Sequence, residues 1–336
     1  MDTQDKSRKI TGIHHVTAMA GDPQANVDFY TGTLGLRLVK RTINFDDPGT
    51  YHLYYGNEVG QPGTILTFFP WPGARRGRQG AGQATVTSFR VPEGSLGYWQ
   101  ERLENHGIAA EAPRVRAAFD EEVLTFLDPD GLQLELVARA GAGGLAPWET
   151  GPVPAEKAIR GFESVTLTEW NPEVTANVLT RVMGYQPIGE ERDRFRFEAA
   201  GGGPAARIDV LAKPDAPRGH VSAGTVHHVA FRVDTDEQQQ AWHQELLALG
   251  FHVSPILDRQ YFHSIYFREP GGVLFEIATD PPGFTRDETV EQLGSGLKLP
   301  PWLEPSRQEI ESVLPPLEVG RTPVLSGAGE IAGGAA

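Results

Sequence analysis

Four segments of the chain repeat one plan, and this repetition narrows the available folds more than any single motif does. Each segment opens with a short β-rich run, continues as an amphipathic helix and closes on glycine. They are GIHHVTAMAGDPQANVDFYTGTLGL from Gly12, ATVTSFRVPEGSLGYWQERLENHGI from Ala84, GFESVTLTEWNPEVTANVLTRVMGY from Gly161 and TVHHVAFRVDTDEQQQAWHQELLALGF from Thr225. Apolar residues alternate in the first run and then recur at helical spacing; Trp242, Leu246 and Leu249 trace one such buried face. Gly35, Gly107, Gly184 and Gly250 stand where a helix ends on a left-handed residue. Two of the runs that follow, FLDPDGLQLELV from Phe126 and FREPGGVLFEIA from Phe267, read as near-superimposable hairpins. The expected unit is βαβββ, present four times. Offsets of 141 residues (Glu135 to Glu276), 142 (Val86 to His228) and 149 (His15 to Ser164) pair the units into an N-terminal half, 10–140, and a C-terminal half, 158–282. The stretch AGAGGLAPWETGPVPAEK from Ala140 reads as their linker. Residues 283–336 form an extension with a short helix over 305–314 and a loose tail, GAGEIAGGAA.

Composition removes several classes of partner. A net charge of −14 repels phosphate backbones and anionic lipid surfaces, so nucleic acid and membrane are not expected partners. No run approaches the ~20 apolar residues that span a bilayer, and MDTQDKSRKI lacks a secretory apolar core, so a cytoplasmic protein is expected. Cysteine is absent, which excludes disulfides, thiolate metal sites and a cysteine nucleophile. A metal would therefore be held by His, Asp or Glu, a donor set suited to iron, manganese or zinc. The glycine-rich stretches at Gly141 and Gly201 lack phosphate-binding spacing, and no GxSxG elbow occurs. RRGRQG from Arg75 reads as a turn or a lid over a site mouth.

Four tandem βαβββ units resemble the vicinal oxygen chelate superfamily, which includes glyoxalases, extradiol dioxygenases and antibiotic-resistance proteins. The resemblance covers roughly residues 10–300. It implies an α+β fold of four βαβββ modules in two tandem halves, forming curved, incomplete β-barrels that enclose a metal or ligand.

Aligning the units brings out candidate ligands. The first strands offer His15, Val86, Ser164 and His228; the last strands offer Phe68, Glu135, Asp209 and Glu276. If units one and four share a barrel, one pocket contains His15, His228 and Glu276, and the other contains Val86, Ser164 and Glu135. Only the first can hold a metal tightly. Two imidazoles and a carboxylate match the facial triad of Fe(II) oxygenases, and Mn(II) accepts the same ligands. Phe68, placed by matching PGTILTFF to PGGVLFEI without gaps, occupies the place where a four-ligand glyoxalase would have a carboxylate. His14-His15 and His227-His228 are neighbouring pairs. Adjacent strand residues face opposite ways, and the second of each pair precedes the apolar run that continues the inward face. His52 in YHLYY is expected to be structural.

Further runs resemble the hydroquinone and chlorohydroquinone dioxygenase group: GIHHVT at Gly12, LVKRT at Leu38, YHLYY at Tyr51, VHHVAF at Val226, YFHSIYFREPGGVLFE at Tyr261 and GFTRDE at Gly283. That resemblance implies an Fe(II) enzyme that opens the ring of a small aromatic substrate with dioxygen. It carries roles over to His14, Thr17, His227, Arg259 and Tyr266, with His227 moving a proton and Arg259 and Tyr266 holding a hydroxyl para to the metal-bound one. A homo-oligomer is compatible with it. The alternatives are a metal-dependent glyoxalase-type lyase or isomerase and a non-catalytic ligand-binding member of the superfamily.

Overall fold

The computed structural model describes residues 9–140 and 144–320; the expected tail GAGEIAGGAA lies outside them. Among the described residues sixteen strands form two curled, open sheets of eight, and each sheet draws one module from each half of the sequence. In the first sheet, β1 (Ile13–Ala20), β2 (Arg37–Asn44), β3 (Asp47–Gly56) and β4 (Ile65–Pro70) join β13 (Thr225–Val233), β14 (Leu257–Asp258), β15 (His263–Arg268) and β16 (Leu274–Thr279), in the order β14-β15-β16-β13-β1-β4-β3-β2. The second sheet combines β5 (Gln83–Pro92), β6 (Arg114–Arg116), β7 (Glu121–Leu127) and β8 (Gln133–Arg139) with β9 (Phe162–Glu169), β10 (Gln186–Glu191), β11 (Arg194–Glu198) and β12 (Arg207–Ala212). Modules one and four thus share a sheet, as do two and three. In each sheet the two first strands meet antiparallel at a central seam, β1 on β13 and β5 on β9.

The hairpins that close modules two and four are held by their own acids. Asp128 Oδ1 accepts from the amides of Asp130 (2.9 Å) and Leu132 (2.8 Å), and Glu269 accepts from Gly271 (2.8 Å) and Val273 (2.9 Å). These bonds tie down turn amides that would otherwise lack partners. The repeat glycines that follow the helices have φ of 68, 72, 77 and 84°, the region a side chain resists.

α1 (Pro23–Val27) and α3 (Pro172–Asn177) each run on into a π turn, whereas α2 (Leu96–Asn105) and α4 (Asp236–Ala248) are regular. On α4 the buried face is Gln239, Trp242 and Leu246. Leu249, expected on that face, caps the helix and is 51% exposed. Gln239 takes its place, donating to the carbonyls of His263 and Ile277 at 2.7 Å each, so a buried amide ties α4 to β15 and β16.

Beyond β16 the chain runs along the β2 edge of the first sheet, where Leu297 bridges to Arg41, to α5 (Arg307–Val313), the helix expected over 305–314. Lys40, fully buried in β2, is paired there with Asp287 at 2.6 Å and with Glu288. Tyr51 of β3 donates to the carbonyl of Pro315 at 3.0 Å. RRGRQG is a strap: Arg76, Arg78 and Ala81 bridge to Ala223, His220 and Arg218. It does not line the cavity described below. Among the described residues no helix is long and apolar enough to cross a membrane.

Candidate metal centre

The seam between β1 and β13 carries two β-bulges. Pairing runs from Ile13↔Phe231 to His15↔Ala230 and from Thr17↔His228 to Ala18↔Val226, leaving His14 and His227 as the extra residues. A bulge frees a residue from strict alternation. His227 therefore lines the same cavity as His228, although simple alternation sends it to the opposite face. His14 is buried behind His15 and does not line the cavity.

His15 and His228 present Nε2 to one point, 3.3 Å apart. Glu276 reaches the same point from β16, which runs parallel to β13 with Ala230 opposite Glu276. Its Oε2 lies 3.2 Å from His15 Nε2 and 2.9 Å from His228 Nε2. All three side chains are buried, and their ligand atoms lie within 4.8 Å of one another. Glu276 Oε2 nevertheless receives no properly directed hydrogen bond, while Ser264 donates to Oε1. Converging nitrogen and oxygen lone pairs with an unsatisfied buried carboxylate oxygen fit a divalent cation. Burial opposes the charge on Glu276, but the two imidazoles hold its carboxyl well below the usual range. Burial pushes His228 down, with Glu276 offsetting part of the shift.

Each of the two converging imidazoles turns its other nitrogen to its neighbour. Nδ1 of His15 lies 2.8 Å from Nδ1 of His14, and Nδ1 of His228 lies 2.7 Å from Nδ1 of His227. A partner at the far ring nitrogen fixes the tautomer and orientation of a ligand histidine. Burial, with His228 beside it, pushes His227 down to about 3, so it is neutral near pH 7.

The position equivalent to Glu276 in module one is Thr67. Across the parallel strand pairs, Ala230 faces Glu276, Ser88 faces Glu135, Thr166 faces Asp209 and Thr17 faces Thr67. Phe68, expected there, is one residue out of register and points into the core against Tyr30 and Tyr55, with ring centroids 4.6 and 6.0 Å away. A one-residue slip reverses the face of a strand residue. The absence of a fourth carboxylate stands, with a threonine hydroxyl in its place.

The cavity has a volume of about 330 Å³. An engineered cavity of about 150 Å³ holds benzene, so there is room for one substituted ring. Arg259 and Tyr266 line it, with the guanidinium 5.4 Å from the Tyr266 ring centroid and 2.9 Å from Asp46. Burial raises the Tyr266 hydroxyl, helped by Glu276. Thr17 is buried and bonded to Thr67 at 3.0 Å, outside the cavity lining. Among the lining residues that the sequence does not single out as site residues are His52, expected to be structural, and Tyr54, both facing the cavity from β3. Overlaying HLYY from His52 on SIYF from Ser264 reveals them, because Tyr54 faces Thr67 as Tyr266 faces Glu276.

The equivalent place in the second sheet holds no imidazole. Arg196 grips Asp209 (2.7 and 2.9 Å) and Glu121 (2.7 and 3.0 Å), while Arg116 pairs with Glu135. Guanidinium groups neutralise the carboxylates there.

The sequence profile of the Glyoxalase/Bleomycin resistance protein/Dioxygenase superfamily matches residues 12–136 and 162–277, and the chain belongs to that superfamily. It is 50% identical over 314 residues to the "Putative ring-cleaving dioxygenase MhqO" of Bacillus subtilis (strain 168), covering 93% of this chain and 98% of that protein. It is 39% identical over 308 residues to the chlorohydroquinone/hydroquinone 1,2-dioxygenase of Sphingobium indicum, covering 90% and 95%. A crystal structure of a Bacillus subtilis protein described as a "putative dioxygenase" superimposes with a TM-score of 0.88 at 50% identity, covering 93% of this chain and 99% of that one.

Proposed function

We propose that the protein is an Fe(II)-dependent dioxygenase that opens the ring of a hydroquinone-like phenol. The observation that carries this reading is the convergence of His15, His228 and Glu276 at a ring-sized cavity, with Thr67 where a fourth ligand would stand. Three protein ligands leave room for two exogenous ones, and the relatives' names supply the reaction class. Bound there, Fe(II) supplies the redox chemistry that passes electrons from an aromatic ring to dioxygen; Mn(II) suits the same donors. His14 and His227 hold the ligand imidazoles in one tautomer. His227, neutral and facing the cavity, accepts at Nδ1 from the His228 ring and so presents its Nε2–H to the cavity, where it can give a proton to an oxygen bound there. Arg259 and Tyr266 receive the substrate oxygen farther from the metal. The apolar rings of Phe69 and Phe262 exclude water from the ring faces. The cysteine-free, acidic chain suits a reducing cytoplasm.

The test is anaerobic reconstitution with Fe(II), followed by oxygen uptake with hydroquinones and catechols. His15→Ala, His228→Ala and Glu276→Ala should each retain less than about a tenth of wild-type iron and turnover, while Glu135→Gln in the other sheet retains both. Full iron in any of the three alanine variants removes that residue from the site. No oxygen uptake by iron-loaded wild type with any phenol overturns the reading.

A further inference from the structure

The face of module one that meets the cavity carries a hydrogen-bonded row with one buried end and one open end. Thr17 Oγ1 lies 3.0 Å from Thr67 Oγ1, His52 Nε2 lies 2.7 Å from Thr67 Oγ1, and the Tyr54 hydroxyl lies 2.8 Å from His52 Nδ1. Thr17 and Thr67 are fully buried, and Tyr54 lines the cavity. The row is the module-one version of the ligand contact in module four. There Ser264 bonds to Glu276; here the equivalent His52 bonds to the equivalent Thr67.

Burial, with His15 and His228 nearby, holds His52 well below its usual range, so one ring nitrogen carries a proton and the other accepts. The row can then point in only two directions. Thr17 has no other hydrogen-bond partner among the described residues. If it accepted from Thr67, its own proton would be buried with nothing to receive it, an arrangement proteins avoid. The satisfied direction has Thr17 donating to Thr67, Thr67 to His52 Nε2, and His52 Nδ1 to the Tyr54 oxygen. The Tyr54 proton is then free for the cavity.

We propose that Tyr54 is a substrate-binding hydrogen-bond donor, aimed by the Thr17–Thr67–His52 row, and that it selects aromatic substrates whose ring oxygen remote from the metal can accept. This rests on the dioxygenase reading above and adds a specificity determinant to it. Tyr54 shares the task with Arg259, which can only donate. His52, Thr67 and Thr17 are positioning residues. The pocket would thus favour hydroquinone over a ring of equal size with methyl in place of the second hydroxyl.

The experiment is anaerobic calorimetry on the iron-loaded protein with hydroquinone and with 4-methylphenol. Tyr54→Phe should lower the preference for hydroquinone about 10-fold and leave 4-methylphenol binding unchanged, as expected for one lost hydrogen bond. Thr67→Val, which cuts the row behind His52, should lose part of the same preference, and Thr67→Ser should restore it; a packing role predicts no such rescue. If Tyr54→Phe fails to fold, the Thr67 pair still decides. Unchanged preference in Tyr54→Phe or in Thr67→Val, in a wild type that consumes oxygen with hydroquinone, overturns the donor role alone. Wild type that binds neither phenol overturns this role and the dioxygenase reading together.

Discussion

Glu169 and Glu269 meet where the end of β9 approaches the last hairpin. A carboxylate oxygen of each lies 2.7 Å from the space above the Gly271 backbone. Glu269 is anchored by two amides and by Thr175 at 2.9 Å, whereas Oε1 of Glu169 has no partner. Burial, and then the charge of Glu269, push Glu169 up to about 8. The folded protein therefore keeps a proton there that the unfolded chain releases near 4.5. The stabilisation is complete below pH 4.5 and is lost as pH rises towards 8. Glu169→Gln keeps the shape without the titration. It should raise Tm by about 3 °C or more at pH 8 and hardly at all at pH 5, as read by thermal melts; an equal shift at both pH values would exclude this origin. The cluster of His15, His228 and Glu276 was legible in the sequence because repeats place equivalent residues at equivalent strand positions. The open faces of His227, His52 and Tyr54 were not. His227 owes its direction to a bulge set by the opposing strand, and nothing in VHHVAF announces one.

The first strands β1 and β13 bring the two candidate ligand histidines together, and β4 determines whether a fourth candidate joins His15, His228 and Glu276. Register along β4 is the decisive detail, and PGTILTFF is ambiguous because Thr67 and Phe68 are both good strand residues. Substitution separates the two placements. Thr67→Glu puts a carboxylate opposite Glu276 at the cavity and should fold, retain iron and lose most oxygen uptake as a fourth ligand fills an open place. Phe68→Glu puts an unpaired charge among Tyr30 and Tyr55, costing on the order of 3–5 kcal/mol, and should yield little folded protein. Soluble yield and bound iron read both outcomes, and the reverse pattern would restore Phe68 to the ligand position. Helices were easier to read than strand register. Trp242 and Leu246 are buried as their spacing required, and Leu249 failed only because the helix had ended.

The four-module plan was legible, whereas the sharing of a sheet by modules one and four entered only as a condition: the halves 10–140 and 158–282 each give one module to each sheet. The sequence did not reveal that residues after β16 cover the β2 edge, because Lys40 in β2 gives no sign of pairing with Asp287 and Glu288 247 and 248 residues away. A break after Ala140 tests the arrangement. Residues 1–140 and 141–336, produced together, should associate one to one and bind iron, whereas neither alone should, as read by size-exclusion chromatography and iron stoichiometry. Iron held by one fragment alone would contradict a shared site. The same seam sets an order of events during synthesis. His15 leaves the ribosome early and Glu276 on the order of tens of seconds later, at the usual ~5–20 residues per second. Until the last module arrives the three-residue cluster is incomplete, so, on the proposed iron reading, an interrupted translation product would be unable to load the metal and leak reactive oxygen.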